Sequence, residues 1–320
     1  MEQLKDHLGR TFKTLRISLI NNCNMACTYC SYSNEENQKN HAESKGNGLT
    51  AKELMNLITQ LHERLNFSTI RFTGGEPLLY KELPYLIKGA RKLGITDLNL
   101  TSNGILLQKQ VPALKAAGLT AINVSLDATD PHTFFMMGRR HGLDQTLRGI
   151  DAALNAGIAV KINSVIMKGL NHNQVIPLLK YAADQQIIIR FLEIMAMGHL
   201  HGKAEEYFFS QSEMLQLIST QYRFSPIPRK QAATANYWQT EAGNIFGIIA
   251  NESQPFCTDC DRLRLDVYGN IYGCLSNDQP IAIKGVSAPA ELDLRLREAL
   301  AQKQSIKFTG SKLSMLHIGG

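Results

Sequence analysis

Six cysteines stand in two tight triplets: Cys23, Cys27 and Cys30 near the start, and Cys257, Cys260 and Cys274 near the end. The first reads Cys-x3-Cys-x2-Cys and the second Cys-x2-Cys-x13-Cys. Thiolates are soft ligands suited to iron–sulfur clusters or zinc. In a cytosolic chain, triplets this tight point to metal rather than to disulfides. A four-iron cube takes four ligands, and each triplet offers three. One iron of each cube would stay open to a small molecule. A structural zinc site with a fourth ligand from elsewhere is the alternative, although such sites are more often built from two Cys-x2-Cys pairs.

Arg262 and Arg264 follow Cys260 at two-residue steps. If this run is a strand, the three side chains share a face, and two guanidiniums beside a metal centre suit a phosphate or carboxylate ligand. Arginines on an exposed edge strand are the blander reading. In Thr73-Gly74-Gly75-Glu76-Pro77 two glycines let the backbone approach a ligand closely. Further candidate groups are Thr101-Ser102-Asn103-Gly104, Ser125-Leu126-Asp127, Lys161, Asn163, Arg190, Glu193 and Met195. Some of these are expected to serve only as turn and cap residues.

Most of these groups sit on or just after short β-rich runs: Leu15–Ile20, Thr69–Thr73, Leu98–Thr101, Ala121–Leu126, Ala159–Ile166 and Ile187–Glu193. Amphipathic helical patterns separate the runs. The clearest starts at Thr50, with Glu53 completing a capping box, and is expected to bury Leu54, Met55, Ile58, Leu61 and Leu65. Others run near Glu82–Lys92, Val111–Ala117, Leu143–Ala156 and Gln174–Asp184. Strand–helix alternation implies parallel strands with right-handed crossovers, and the C-terminal ends of such strands are where α/β barrels build their sites. About six units are too few for a closed eight-stranded barrel, so an open partial barrel or a doubly wound sheet is expected. After about Leu200 the texture changes. Ser210 and Glu213 start another helix, and Arg262–Val267 and Ile271–Leu275 flank Tyr268-Gly269-Asn270 as a hairpin that returns Cys274 toward Cys257 and Cys260. The tail is helical from about Ala288 and ends in Gly319-Gly320.

The 320 residues are 44% hydrophobic and 19% charged, which predicts a packed core rather than disorder. No apolar run approaches a bilayer span and MEQLKDHLGR has no signal-peptide core, so a cytoplasmic protein without a membrane partner is expected. The net charge of +6 permits an anionic ligand, but no Lys/Arg block points to nucleic acid.

Cys-x3-Cys-x2-Cys after a first strand, paired with Gly-Gly-Glu-Pro after the second, resembles the radical S-adenosylmethionine (SAM) superfamily. More specifically, the chain is similar to the molybdenum-cofactor biosynthesis protein A family, the GTP 3′,8-cyclases. The likeness rests on Leu15-Arg16-Ile17-Ser18, the first cysteine loop, Ile70–Leu79, Ile122–Asp127, Val160–Asn163, Arg190–Met195, the Phe256–Leu275 block and the terminal Ile318-Gly319-Gly320. The Cys-x2-Cys-Asp-Arg-Leu-Arg-Leu block and the Gly-Gly end are the more specific parts. The chain departs from the family at Ile20-Asn21-Asn22, Ala26, Ser31-Tyr32, Tyr80 and Asp261.

The resemblance implies an α/β fold, a partial (β/α)6 TIM-type barrel with a smaller C-terminal β-rich domain carrying an auxiliary iron–sulfur cluster. The boundaries expected are 1–205 for the barrel, 206–287 for the auxiliary-cluster domain and 288–320 for the C-terminal helix and tail. It implies two [4Fe-4S] clusters on the six cysteines and SAM on the open iron of the first, contacted by Tyr29, Gly75, Ser125 and Met195. GTP would be the substrate, contacted by Arg16, Arg71, Thr101, Lys161, Arg262, Leu263 and Arg264. A 5′-deoxyadenosyl radical would take the ribose 3′ hydrogen, and the ribose carbon would then attack C8 of the base. Arg262, Arg264 and the inserted tail residues Gly319 and Gly320 are the implied catalytic residues. An external one-electron reductant, a downstream cyclic pyranopterin monophosphate synthase and a homodimer are the implied partners. Another radical SAM enzyme acting on a different nucleotide or a peptide, and a two-zinc binding module that is no enzyme, are the competing readings.

Overall fold

The computed structural model describes residues 3–31 and 48–318. Its centre is a run of six parallel strands in sequence order: β1 (Thr14–Ser18), β2 (Thr69–Thr73), β3 (Asp97–Ser102), β4 (Ala121–Ser125), β5 (Ala159–Ile166) and β6 (Ile188–Glu193). The connections carry helices α1 (Ala51–Leu65), α2 (Leu83–Lys92), α3 (Leu107–Ala117), α4 (Pro131–Gly138), α5 (Leu143–Asn155) and α6 (Val175–Asp184). This is the partial-barrel α/β architecture that strand–helix alternation predicts.

Helix α1 forms because an apolar stripe meets a start signal. Thr50 and Glu53 make the reciprocal capping box at the head of α1, and Leu54, Ile58, Leu61 and Leu65 are buried as expected. Met55 is a correction: it is only partly buried, lying beside the core stripe rather than in it. The strands alternate. On β5, Val160, Ile162, Ser164 and Ile166 are buried, while Lys161, Asn163 and Val165 point to the opposite face.

The last third of the chain supplies α7 (Gln211–Ser219), β7 (Phe224–Ile227), β8 (Asn236–Thr240), β9 (Ile245–Ile249), β10 (Arg262–Leu265), β11 (Asn270–Tyr272), β12 (Ile281–Ala282), α8 (Pro289–Ala301) and α9 (Met315–Ile318). Its strands extend both flanks of the same sheet. β9 runs parallel to β6 and continues antiparallel into β8 and β7, while β10 runs parallel to β1 and continues antiparallel into β11 and β12. The hairpin expected around Tyr268-Gly269-Asn270 is β10–β11, with Gly269 at φ 86°. Arg64 of α1 and Asp293 of α8 form an ion pair that docks the C-terminal helix.

Candidate active site

The first cysteine loop leaves the end of β1 and is held from three sides. Leu19 donates to the Thr73 carbonyl at 2.9 Å, Gly75 to the Ile20 carbonyl at 2.6 Å and Glu76 to the Asn22 carbonyl at 2.8 Å. A Cβ on Gly75 would lie 2.2 Å from the Asn22 oxygen, so glycine is needed there for backbone approach. From below, Ala26 and Thr28 donate to the carbonyls of Gly138 and Met137 at the end of α4. Sequence periodicity misses this short helix, although Asp130-Pro131 marks its start and the Asp130 side chain caps Thr133. Across the top, the Ser314 hydroxyl donates to the Cys30 carbonyl at 3.0 Å. The buried Glu76 carboxylate, which burial pushes up to about 7, accepts from the Leu78 and Asn103 N–H groups and the Ser102 hydroxyl. It thereby locks the ends of β2 and β3 together.

Cys23, Cys27 and Cys30 front a cavity of about 180 Å³ that Tyr29, Gly75, Ser125 and Met195 also line. All four expected SAM contacts are therefore brought to one place. The Tyr29 hydroxyl donates to Asp127 at 3.0 Å, and burial pushes that carboxyl up to about 6. Burial likewise pushes the Cys23 thiol up to about 12 and Cys27 well above its ordinary value.

Cys257, Cys260 and Cys274 front a second cavity, of about 370 Å³. The burial of Cys260 is outweighed by Arg262 and Lys303, and its thiol is held down at about 6. Burial pushes Cys257 up to about 11. Among the described residues no three Cys, His, Asp or Glu side chains converge tightly enough to hold a single metal ion. The thiols of each trio instead front one open space, as a multi-iron body requires.

Arg16, Arg71, Arg190, Arg262 and Arg264 line the larger cavity, with the carboxylates of Asp97 and Asp261. Parallel register sets Arg71, Arg16 and Arg264 abreast on β2, β1 and β10. Burial, then Arg190, lowers Arg71 to about 10; burial, then Arg262, lowers Arg264 to about 10. Arg16 is held well below its ordinary value by burial and by Arg264, Arg71 and Arg262. Buried nitrogens of Arg16 and Arg190, both Nε, and the Asn163 Oδ1 have no hydrogen-bond partner among the described residues. Such atoms are costly unless a ligand satisfies them. Thr101, Asn163, Leu192, Met195 and Met315 line both cavities, so the two adjoin across a shared wall.

Of the expected GTP contacts, Arg16, Arg71, Thr101, Arg262 and Arg264 line the larger cavity, with Cys260, Arg262 and Arg264 turned the same way. Leu263 does not: its side chain is buried in the core between them, which leaves only its backbone to meet a ligand. Lys161 also falls outside the lining. It sits one pleat further from the strand end than Asn163, near enough to Arg190 and Arg71 for their charges to depress it after burial has done so. Glu193 fronts the smaller cavity, but its carboxylate serves as a knot, accepting from the N–H groups of Gln211, Glu252 and Ser253 and from the Ser253 hydroxyl. Arg190 and Tyr237 line the larger cavity without having been marked as contacts. Its strand-end position had already set Arg190 among the candidate groups, though not among the contacts; Tyr237 gave no such signal. Gly319 and Gly320 lie outside the described residues. Just before them, Met315 lines both cavities, and Arg264 Nη1 donates to the Ile318 carbonyl at 3.4 Å.

Comparison with known proteins agrees with this geometry. The profile of the Radical SAM superfamily matches residues 17–182, and that of Molybdenum Cofactor Synthesis C matches residues 187–311. GTP 3′,8-cyclases of Staphylococcus aureus strains JH9 and Newman are each 39% identical over 279 residues, covering 86% of this chain and 82% of theirs. Among solved structures, Streptococcus suis SuiB bound to S-adenosylmethionine superposes with a TM-score of 0.64 at 14% identity, over 88% of this chain. The chain spans 65% of the length of SuiB, and at that identity the likeness speaks for the fold alone. No helix among the described residues is long and apolar enough to cross a membrane. With both profiles matched in order and 39% identity over most of its length, the chain belongs to the radical SAM superfamily and, within it, to the GTP 3′,8-cyclase family.

Proposed function

We propose that this chain converts GTP to 3′,8-cyclo-7,8-dihydro-GTP, a step toward the molybdenum cofactor. One observation carries the reading: two thiol trios front two adjoining cavities, and five guanidiniums line the larger. The donor sets fit two [4Fe-4S] clusters, Cys23, Cys27 and Cys30 holding one and Cys257, Cys260 and Cys274 the other. SAM fits the smaller cavity, where Gly75 leaves room for backbone contact and Tyr29, Ser125 and Met195 surround the space. When bound, the first cluster and SAM supply a carbon-centred radical able to remove a ribose hydrogen.

The chain's own residues bind and orient. Arg16, Arg71, Arg190 and Arg264 offset the triphosphate charge, and their fork geometry fixes its direction. Asn163 and Thr101, at the shared wall, present polar atoms to a nucleotide that spans it. Leu192, Met195 and Met315 supply the apolar part of that wall, which helps exclude water from a reactive intermediate. Lys161 and the backbone of Leu263 are kept as outer contacts, and Gly319-Gly320 as an extension of the tail that Arg264 already meets at Ile318. An external one-electron donor is required.

The test is an anaerobic preparation assayed with GTP, SAM and a reductant. The expected protein is brown, with about eight irons per chain and matching labile sulfide. The expected product shows the guanine C8 proton moved from aromatic to aliphatic position by NMR. A colourless zinc protein, or an iron-replete one that leaves GTP intact, would reject the reading.

A further inference from the structure

Residues 299–304, at the end of α8 and just beyond it, touch the segments that carry Cys260 and Cys274, and Arg10 bridges them to Cys257. Gly273, which precedes Cys274, lies so close to α8 that a Cβ on it would stand 1.6 Å from the Ala299 oxygen, and its N–H donates to Gln302 Oε1 at 2.8 Å. The buried Arg10, ion-paired with Asp6, donates to the carbonyls of Cys257 and Gln304, each at 2.6 Å. The buried Lys303 ammonium donates to the carbonyls of Cys260 at 2.9 Å and Arg262 at 3.1 Å and lies 3.6 Å from the Cys260 sulfur. It also stands 4.8 Å above the Phe12 ring.

An ammonium has three N–H donors, and here the three acceptors include a ligand sulfur. Burying that charge costs free energy that packing alone does not require, since an apolar stem fills the same space. A cation and an N–H···S bond at a ligating thiolate favour the more negative, reduced state of a cluster, and such outer contacts tune its potential. Arg10, by contrast, meets the Cys257 backbone carbonyl.

We propose that Lys303 is a positioning residue that raises the reduction potential of the cluster held by Cys257, Cys260 and Cys274, acting through the Cys260 sulfur. The proposal rests on the assignment of a cluster to that trio. It concerns a one-electron couple in which the cluster gains an electron from the external donor and no bond forms or breaks.

An EPR-monitored redox titration of the anaerobic holoenzyme reads both clusters, with SAM added to mark the signal of the first. Lys303→Met keeps the stem over Phe12 and deletes the charge. The second potential is expected to fall by about 59 mV, a tenfold change in reduced fraction at fixed potential. The first potential and the iron content stay at wild-type values, and Lys303→Arg restores most of the shift. If Lys303→Met sheds iron, Lys303→Gln, which keeps donors for the two carbonyls but no charge, is titrated instead and should shift in the same direction. An unmoved second potential in an iron-replete variant, an equal shift of both clusters, or iron loss from all three variants overturns the role of Lys303. A wild-type chain without iron at the second trio overturns the cluster assignment itself.

Discussion

Arg71, Arg16 and Arg264 stand abreast on three neighbouring strands, and buried like charges cost free energy until an anion offsets them. A charged hydrogen bond contributes about 1.5–3 kcal/mol. Arg264→Ala is therefore expected to raise KM for GTP roughly 10- to 100-fold, with iron content unchanged; steady-state kinetics beside iron analysis checks both. Equal KM values would remove Arg264 from the substrate site. The cysteines, Arg262 and Arg264 were legible in the sequence because ligand spacing and two-residue steps are local patterns. The limits appear where a role depends on depth or distance. Leu263 shares the motif but faces the core, and Lys161 shares a strand with Asn163 but sits away from the cavity. Lys303 was not legible, since 43 residues separate it from the sulfur it meets.

Two close approaches decide how the elements carry the thiols. Gly75→Ala drives a Cβ into the Asn22 backbone, so the first cysteine loop must move. SAM affinity is expected to fall at least about tenfold, roughly 1.4 kcal/mol, by calorimetry under anaerobic conditions. Gly273→Ala forces β11 away from α8 instead. Iron per chain should drop from about eight toward about four, with SAM binding retained, and retention of all the iron would show that α8 can give way. The central strands were legible to within two residues because they are short runs rich in β-branched or other apolar residues, separated by amphipathic helical patterns. β7, β8 and β9 have no counterpart among the expected runs, because their partners are set by tertiary pairing rather than by local alternation. α4 was missed because its apolar residues follow one another too closely for a helical period to show.

At the scale of the whole molecule, cations are concentrated on one cavity while the chain carries a net charge of only +6. Attraction of a polyanion to such a pocket is screened over about 10 Å at 0.1 M salt. GTP affinity should weaken as salt is raised to about 0.5 M, where that length is shorter still, whereas SAM affinity should change little. Equilibrium binding at the two ionic strengths checks the contrast, and a salt-independent GTP affinity would count against the arginine cavity as the triphosphate site. The sheet's flanks have a consequence of another kind. β10 completes the open side of β1 and β9 that of β6, and both come from the same late stretch of chain. A protein severed just beyond β6 would lose both covers and bare unpaired N–H and C=O groups at opposite rims, each a template for stray strands. Such a fragment should clump rather than survive as a miniature enzyme.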